Sequence, residues 1–336
     1  MKAAVLNNYD KNGTKLEVRE MDLPSPEDHE VLVKVCTAAV NPLDNMVVRG
    51  EVKLIVPYKL PLIMGNEFAG IVEKAGASVT KFKAGDRVYG RMPLAKIGAF
   101  AEYAAVAENA LAIIPDYLSF DEAATVPLTA LTAMQAFEIM KPKSGETIFI
   151  SGGTGSLGAM AIPIAKSLGL TVYTNGSADN EERVKELGAD RFIDYKKENY
   201  AEVLKDVDYV LDTLGDRELP NEFKVLKRGG SLVSLRGLPN GRFAKRAGLS
   251  FIKQLLFKLA GSKYDKMAAA KNQTYDFLFV HEDGGQLEEI GKIFNAENPL
   301  ETSIDTIYTL AQVNEALDKV KQGKSKGKTI IKLVEK

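Results

Sequence analysis

Three glycines spaced three residues apart, at positions 152, 155 and 158, lie between a short apolar run and a helical pattern. The run 147–150 is rich in β-branched and aromatic residues, which is typical of a buried parallel strand. Glycines at such a turn let the backbone bend sharply and approach a pyrophosphate, whose charge is stabilised by N–H groups of the helix N-terminus. The spacing predicts a dinucleotide-binding loop with cofactor contacts at Gly152, Gly155, Ser156, Leu157 and Gly158.

The residues about 20 positions after the first glycine indicate which nucleotide the loop takes, because an acidic residue there binds the ribose hydroxyls of NAD. The corresponding stretch 172–177 contains Asn175 and Ser177 but neither Asp nor Glu, and Arg183 follows. A guanidinium suits a 2′-phosphate, so we expect NADP(H) rather than NAD(H). Alternatively, Arg183 is a solvated helix residue and Asp179 caps that helix.

A change of hydrophobic period near position 122 divides the chain into two regions. Before it, short apolar runs separated by Gly, Pro and Asn predict mostly β-strands. After it, strands alternate with helices, which predicts a doubly wound parallel sheet and an α/β fold. The strands expected there are 147–150, 170–174, 192–193, 209–211, 231–235 and 278–280. The last residues, about 35 of them, return to strand, helix and strand, an ending that could rejoin the first region.

The composition excludes several classes of protein. The chain has 336 residues, 45% of them apolar, and a formal net charge of −1, so it can form two domains and has no basic field for nucleic acid. A single cysteine, Cys36, and an N-terminus without the features of a signal peptide lead us to expect a cytoplasmic protein. Residues 147–165 carry no charge, but their glycine loop would leave backbone groups unpaired in lipid, so we expect no membrane span.

The segment 250–259 interrupts the alternation of strands and helices. It carries large apolar residues at 251, 252, 255, 256 and 259, with lysines at 253 and 258. We expect a helix that is buried or covers an interface. Alternatively, it attaches to a membrane surface.

Short motifs in a fixed order resemble those of the medium-chain dehydrogenase/reductase superfamily, in its zinc-free quinone oxidoreductase and enone or alkenal reductase branch. They span nearly the whole chain and include 41–44 (Asn-Pro-Leu-Asp), 65–70 (Gly-Asn-Glu-Phe-Ala-Gly), 85–89, 98–103, the glycine loop, 187–190, 212–215 and 327–328. No single motif is specific, but their order is.

This resemblance implies a GroES-like β domain formed by residues 1–122 and 298–336, a Rossmann NADP-binding domain of residues 123–297, and an active-site cleft between them. It implies that Asn41 and Thr132 lie near the nicotinamide, and that Asn175, Ser177 and Tyr195 surround the adenosine phosphate. The rest of the cofactor path is implied to include Leu214, Gly215, Gly237 and Phe279. The strand around Phe279 resembles one that pairs across a two-fold axis in the family, which implies a homodimer.

Zinc-dependent relatives carry a cysteine near position 41 and a histidine where this chain has Asn66. Besides Cys36, the chain offers only His29 and His281 as further soft ligands, so we expect no bound metal. Glu67 of the same motif is expected to be a structural carboxylate that hydrogen-bonds within its domain.

Without zinc, the expected reaction is hydride delivery from NADPH to an α,β-unsaturated carbonyl (an enone or enal) or to a quinone. The protein must then donate hydrogen bonds to the carbonyl oxygen, on which charge develops. The candidate catalytic donors are the Asn41 amide, the Tyr58 hydroxyl and a backbone N–H, although Tyr58 could instead be a surface tyrosine packed on prolines. Two other functions stay open: one-electron reduction of quinones, and NADPH binding by a catalytically silent sensor protein.

Overall fold

The computed structural model describes residues 1–11, 15–323 and 327–333. In chain order its strands are β1 (Lys2–Leu6), β2 (Glu17–Glu20), β3 (Glu30–Val40), β4 (Leu62–Ile63), β5 (Glu67–Ala75), β6 (Arg87–Arg91), β7 (Tyr103–Ala107), β8 (Leu111–Ile113), β9 (Thr147–Ile150), β10 (Thr171–Gly176), β11 (Arg191–Asp194), β12 (Val207–Asp212), β13 (Leu226–Ser234), β14 (Thr274–Phe277), β15 (Ile304–Thr309) and β16 (Lys328–Lys332). Its α-helices are α1 (Pro42–Val48), α2 (Phe120–Ala123), α3 (Pro127–Met140), α4 (Ser156–Ser167), α5 (Glu181–Glu186), α6 (Tyr200–Val203), α7 (Leu219–Val225), α8 (Gly241–Arg246), α9 (Phe251–Ala260), α10 (Ser262–Ala269), α11 (Gly284–Ile293) and α12 (Val313–Lys321).

The chain divides into two compact units, unit 1 with residues 1–131 and 281–336, and unit 2 with residues 132–280. The sequence had placed the junctions at 122/123 and 297/298. The first differs because the start of α3 is tied to unit 1, where the Leu128 N–H donates to Glu67 Oε2 at 2.7 Å. The second differs because α11 packs against β8 of unit 1.

Unit 1 is organised around the long strand β3, which pairs antiparallel with β5, β7 and β16. The resulting sheet has the order β15-β16-β3-β5-β6-β8, and β1 pairs with β2 and β4 in a separate sheet. The pairing of Thr329 with Val40 joins the end of the chain to its first region. The prediction that the C-terminal segment rejoins the first region is thus confirmed.

Unit 2 is built on a parallel sheet of order β11-β10-β9-β12-β13-β14. Its central strand is fully buried at Ile148, Phe149 and Ile150, as expected for a strand covered on both faces. The strand order reverses at β9, which lies between β10 and β12. Ligands bind at the carboxyl ends of strands at such a switch point, and β9 leads directly into the glycine loop. The predicted doubly wound sheet is confirmed.

One expectation for unit 2 is wrong, and a second holds for the helix itself but not for its burial within the chain. The strand predicted at 278–280 lies at Thr274–Phe277, because β14 pairs with β13 over those residues, and Phe279 follows its end. The segment 250–259 does form a helix, α9, but its apolar side is exposed and only Phe257 among its described residues is buried. The helix is held by that opposite side, where Phe257 packs edge-on against Phe243. Within the described ranges, no helix combines the length and apolarity that crossing a membrane requires.

Candidate active site

The glycine loop is the turn between β9 and α4 in unit 2. Gly152 has φ of 68°, a left-handed conformation that favours glycine. A Cβ on Gly158 would lie 2.2 Å from the Gly153 carbonyl oxygen, and a Cβ on Gly153 would lie 2.0 Å from Thr174 Oγ1. Gly155 differs, since a Cβ there would meet the Gly152 carbonyl oxygen at an ordinary 3.5 Å. The loop geometry therefore demands glycine at 152 and 158, as predicted, and also at Gly153, which the spacing argument missed although it adjoins Gly152.

The end of β10 holds this loop in place. The Gly152 N–H donates to Asn175 Oδ1 at 2.8 Å, and the Gly153 N–H donates to Thr174 Oγ1 at 3.0 Å. Asn175, expected beside the adenosine phosphate, thus uses its amide oxygen to accept a hydrogen bond from the loop backbone. The residue preceding α4 is Gly155, and no side chain caps the helix there. Such a helix N-terminus can bind an anionic group through its backbone N–H groups, so the loop fits a dinucleotide.

The other predicted cofactor residues of unit 2 follow the carboxyl ends of the parallel strands. Ser177 follows β10, Tyr195 follows β11, Leu214 and Gly215 follow β12, Gly237 follows β13 and Phe279 follows β14. Tyr195 is 59% exposed and Leu214 44% exposed, so both present apolar surface at this edge of the sheet. Thr132 does not follow a strand of this sheet but is buried on α3.

The carboxyl end of β10 carries Asn175, Gly176 and then Ser177, whose Oγ accepts a hydrogen bond from Asn180 Nδ2 at 3.0 Å. Asp179 is exposed, and the residue that precedes α5 is Asn180. The alternative in which Asp179 caps the helix of Arg183 is therefore wrong. Arg183 lies half-buried on α5.

Unit 1 contains a buried polar cluster around Glu67, which is fully buried. Its Oε1 accepts hydrogen bonds from Asn41 Nδ2 at 2.7 Å and from Lys328 Nζ at 2.5 Å. Its Oε2 accepts the Leu128 N–H at 2.7 Å. Both oxygens are thus occupied by donors of the same unit, which confirms the structural role expected for Glu67.

Asn41 is 2% exposed, and its side-chain amide is engaged on every side. Nδ2 donates to Glu67 and, at 3.3 Å, to the Ala39 carbonyl oxygen, while Oδ1 accepts from Lys328 Nζ at 2.7 Å. An amide has two N–H donors, and both are used within the cluster. The expectation that Asn41 donates to a substrate carbonyl does not fit this geometry, because donation would break a buried hydrogen bond.

Asp44 is fully buried and adjoins the same cluster through Asn41. Its Oδ2 accepts the Asn41 N–H, and its Oδ1 accepts from Asn66 Nδ2, both at 2.7 Å. Burial raises the pKa of Asp44 to about 7, against the opposing effect of these two hydrogen bonds. Its protonation therefore changes near neutral pH. The sequence included Asp44 in a motif without giving it a role.

Arg91, at the end of β6, is fully buried and was not foreseen. Nη1 donates to the Met92 carbonyl oxygen and lies 3.7 Å from the Glu282 carboxylate. Among the described residues, Nε and Nη2 have no hydrogen-bond partner. Each unpaired buried donor lowers stability by about 1–3 kcal/mol, so such a group is suited to bind a ligand or water. The sequence did indicate this burial: Arg91 lies two residues after the buried Tyr89, so both side chains fall on the same face of the strand.

Tyr58 is half-buried in a loop of unit 1. Its hydroxyl forms no hydrogen bond with any residue in the ranges 1–11, 15–323 and 327–333. Burial raises the pKa of Tyr58 to about 12, although the positive charge of Arg91 acts in the opposite direction. The hydroxyl is therefore protonated at neutral pH and can donate to a ligand.

Two protein-family models match this chain. A family model described as "Alcohol dehydrogenase GroES-like domain" matches residues 27–116, and one described as "Zinc-binding dehydrogenase" matches residues 187–331. The chain is 36% identical to 2-methylene-furan-3-one reductase of Solanum lycopersicum, over 69% of this chain and 62% of that enzyme's length. It is 34% identical to the chloroplastic NADPH-dependent alkenal/one oxidoreductase of Arabidopsis thaliana, over 76% of this chain and 68% of that enzyme.

The chain is also similar to the solved structure of the quinone oxidoreductase from Coxiella burnetii. The TM-score is 0.84, with 26% identity and 99% of both chains covered. The chain belongs to the medium-chain dehydrogenase/reductase superfamily. Its relatives place it in the quinone oxidoreductase and enone reductase branch, and the superfamily uses a nicotinamide cofactor.

The cluster around Glu67 in this medium-chain dehydrogenase/reductase bears on whether the chain can bind a metal. In the described part of the chain, no group of three or more His, Cys, Asp or Glu side chains is arranged to hold a metal ion. Instead, a lysine ammonium lies against the Glu67 carboxylate. Lys328 had been noted only as part of a short motif, and nothing local in the sequence indicated its partner.

Proposed function

We propose that this medium-chain dehydrogenase/reductase is an NADPH-dependent reductase that delivers hydride, without zinc, to an α,β-unsaturated carbonyl or a quinone. The observation that carries the proposal is the Tyr58 hydroxyl, a protonated donor with no protein partner among the described residues. Hydride addition to a conjugated carbonyl places negative charge on the oxygen, so such a donor stabilises the transition state. The names of the tomato and Arabidopsis relatives support the same acceptor class.

NADP(H) is the proposed cofactor, and when bound it supplies the hydride. Unit 2 would hold its pyrophosphate at the loop from Gly152 to Gly158, through backbone N–H groups and the N-terminus of α4. Ser177, Arg183 and Tyr195 would surround the 2′-phosphate, since no carboxylate at the end of β10 competes for the ribose. The remaining contacts would come from Thr132, Leu214, Gly215, Gly237 and Phe279. Asn175 would act by positioning the loop.

In unit 1, Tyr58 is proposed to donate to the carbonyl oxygen of the acceptor. The positive charge of the buried Arg91 acts to lower the pKa of Tyr58, against the larger effect of burial, and so strengthens its hydroxyl as a hydrogen-bond donor. Loss of one donor of this kind typically costs about 2.7–4 kcal/mol in the transition state. Asn41 is proposed as a positioning residue, because its contacts with Glu67 and Lys328 fix the start of α1.

The hydrogen-bond donors already bound to Glu67 support the proposal that the reaction needs no zinc. A metal would need its carboxylate oxygens, yet Asn41 and Lys328 occupy Oε1 and the Leu128 N–H occupies Oε2. The sequence supplies one cysteine and two histidines, too few for the usual tetrahedral sets without several carboxylates. We therefore expect full activity after dialysis against a chelator.

A homodimer is proposed as well. In the order of the parallel sheet, β14 is the outermost strand, and an edge strand offers unpaired backbone groups to a second copy. Sedimentation of the full chain tests this: a monomer mass at micromolar concentration would reject it.

The function is tested by presenting NADPH with a small aliphatic enone and, in parallel, an aromatic quinone, while following NADPH absorbance and product mass. We expect a saturated ketone from the enone. Turnover of the quinone alone would assign quinone reduction, and trapping of a semiquinone radical would make it a one-electron reaction. Tight NADPH binding without oxidation by either acceptor would overturn the reductase and favour a sensor.

A further inference from the structure

Helix α9 of unit 2 presents an exposed apolar face, which we define as Phe251, Ile252, Leu255, Leu256 and Leu259. Their side chains are 80%, 72%, 51%, 51% and 65% exposed, respectively. Soluble proteins expose single apolar residues freely, but a contiguous group of this size marks an interaction surface. The α9 apolar face therefore needs a partner.

The helix geometry explains why these residues share one side. At 100° per residue, the five positions fall within an arc of about 140°. The opposite side holds Phe257, which is 7% exposed and packs against Phe243 of α8 with ring centroids 6.0 Å apart. Gln254 also donates to the Leu249 carbonyl oxygen at 2.7 Å. The helix is thus anchored by one side and directs the other outward.

The charges around this face have one sign. On the same helical projection, Lys258 and Lys253 lie at the two borders of the apolar arc. Between residues 241 and 271 the sequence has eight Lys or Arg and a single carboxylate, Asp265. Asp265 accepts a hydrogen bond from Asn240, and two of the cations, Arg242 and Arg246, pair with Asp276. The lysines of this segment therefore give the face a positive border in a chain whose net charge is −1.

The α9 apolar face and the lysines at its border together indicate which kind of partner binds there. A second copy whose two-fold axis passed through this face would place the face against itself and bring its lysines together, which is unfavourable. A neutral apolar protein surface would leave the lysines without counter-charges. An anionic bilayer satisfies both parts, because acyl chains take the apolar side chains while headgroup phosphates and carboxylates pair with the lysines.

We propose that α9 docks this protein on the surface of an anionic phospholipid bilayer, with the α9 apolar face inserted at the boundary of headgroups and acyl chains. The helix lies in the plane of the membrane surface and does not cross it. Attachment is peripheral and reversible, since one short helix buries little apolar area and its charge attraction is screened by salt.

The test is flotation of the full chain with vesicles of phosphatidylcholine containing phosphatidylserine, compared with vesicles of phosphatidylcholine alone. We expect the protein to float with the anionic vesicles and to be released by high salt. The variant Leu255→Ser/Leu256→Ser should lose at least about tenfold in vesicle affinity, because two inserted side chains become polar. Lys253→Gln/Lys258→Gln should lose affinity for anionic vesicles and show a weaker dependence on salt, because the other lysines of the segment remain.

Leu23→Ser is the matched control, since Leu23 is also an exposed leucine (55%) but belongs to unit 1, whereas α9 belongs to unit 2. It should bind vesicles like the wild type. NADPH affinity and the thermal unfolding midpoint of every variant show that the fold is intact. Failure of the wild type to float with anionic vesicles would overturn the proposal, as would wild-type binding by the Leu255/Leu256 variant. A dimer that the same variant converts to monomer, without vesicle binding, would assign the face to a second copy instead.

Discussion

Lys328 Nζ lies 2.5 Å from Glu67 Oε1, and neither side chain is more than 6% exposed. The two residues are 261 positions apart in the sequence, on β16 and β5, and meet because both strands pair with β3. The ammonium also donates to Asn41 Oδ1, so one buried cation satisfies a carboxylate and an amide at once. The polar cluster of unit 1 thus depends on a residue from the far end of the chain.

Replacing Lys328 with methionine should destabilise the protein by about 3–5 kcal/mol, because Glu67 is left as a buried carboxylate without a counter-charge. The free energy of unfolding in urea measures this loss. The double variant Lys328→Met/Glu67→Gln is the control and should recover much of the stability, since no charge then stays buried. A single variant as stable as the wild type would contradict the pairing.

Replacing Tyr58 with phenylalanine should lower kcat for an enone by about 10²–10³-fold, because one hydrogen-bond donor to the developing oxyanion is lost. The KM for NADPH should not change. Tyr9→Phe is the matched control: the Tyr9 hydroxyl donates to the Tyr58 backbone carbonyl oxygen at 3.1 Å, so this variant removes a neighbouring phenol but leaves the Tyr58 hydroxyl in place. Equal rates for Tyr58→Phe and wild type would remove Tyr58 from the mechanism.

Asp44 should make stability depend on pH. Burial raises its pKa to about 7 from an ordinary value of 3.8, so the folded state keeps a proton that the unfolded state loses in mildly acidic solution. The free energy of unfolding then falls as the pH rises from about 4 to about 7, and levels off above that range. From pH 5 to pH 8 this group should contribute a loss of about 3 kcal/mol.

Urea unfolding of wild type and Asp44→Asn at the two pH values isolates this effect. The asparagine cannot titrate, so the variant should lack this part of the pH dependence. The NH₂ of the asparagine would face another donor, either the Asn41 N–H or Asn66 Nδ2. This mismatch should lower the free energy of unfolding by the same amount at every pH. Parallel pH profiles for the two proteins would show that Asp44 titrates as in the unfolded chain.

The sequence predicts what is local and misses what is made by distant contacts. The glycine loop was found because strand, turn and helix are adjacent and each follows its own periodicity. Lys328 was missed because its partner Glu67 lies on a strand far away in the sequence, and the Glu282 carboxylate near Arg91 is also distant along the chain. For α9 the period identified the apolar side correctly, but periodicity cannot say whether anything covers that side. The strand at 278–280 was misplaced because β13 pairs with the less apolar Thr274–Phe277, which contains the buried Asp276.

Replacing Arg183 with alanine should raise the KM for NADPH by about tenfold or more and leave the KM for NADH nearly unchanged. The physical reason is loss of a charge-assisted hydrogen bond to the 2′-phosphate, typically about 1.5–3 kcal/mol. Lys185→Ala is the matched control, because Lys185 lies on the same helix, is 56% exposed and pairs with Glu181 at 2.6 Å. Equal losses with both cofactors would mean that Arg183 supports the fold rather than the phosphate.

Replacing Gly158 with alanine should weaken NADPH binding by at least about tenfold and lower the unfolding free energy by about 1–3 kcal/mol. The added Cβ would lie within 2.4 Å of three backbone atoms of Gly153, which cannot move without opening the loop. Gly155→Ala is the comparison, since its Cβ meets only the Gly152 carbonyl oxygen at 3.5 Å and its φ of −81° suits alanine.

Fluorescence titration with NADPH and urea unfolding separate the two effects at Gly155. Loop packing alone predicts that Gly155→Ala keeps full stability and most of its affinity. A stable Gly155→Ala protein that binds NADPH as poorly as Gly158→Ala would show that the pyrophosphate itself approaches Gly155 closely, because no protein atom stands in the way of the added methyl group. Full affinity in both variants would place the dinucleotide away from this loop and contradict the proposed cofactor site.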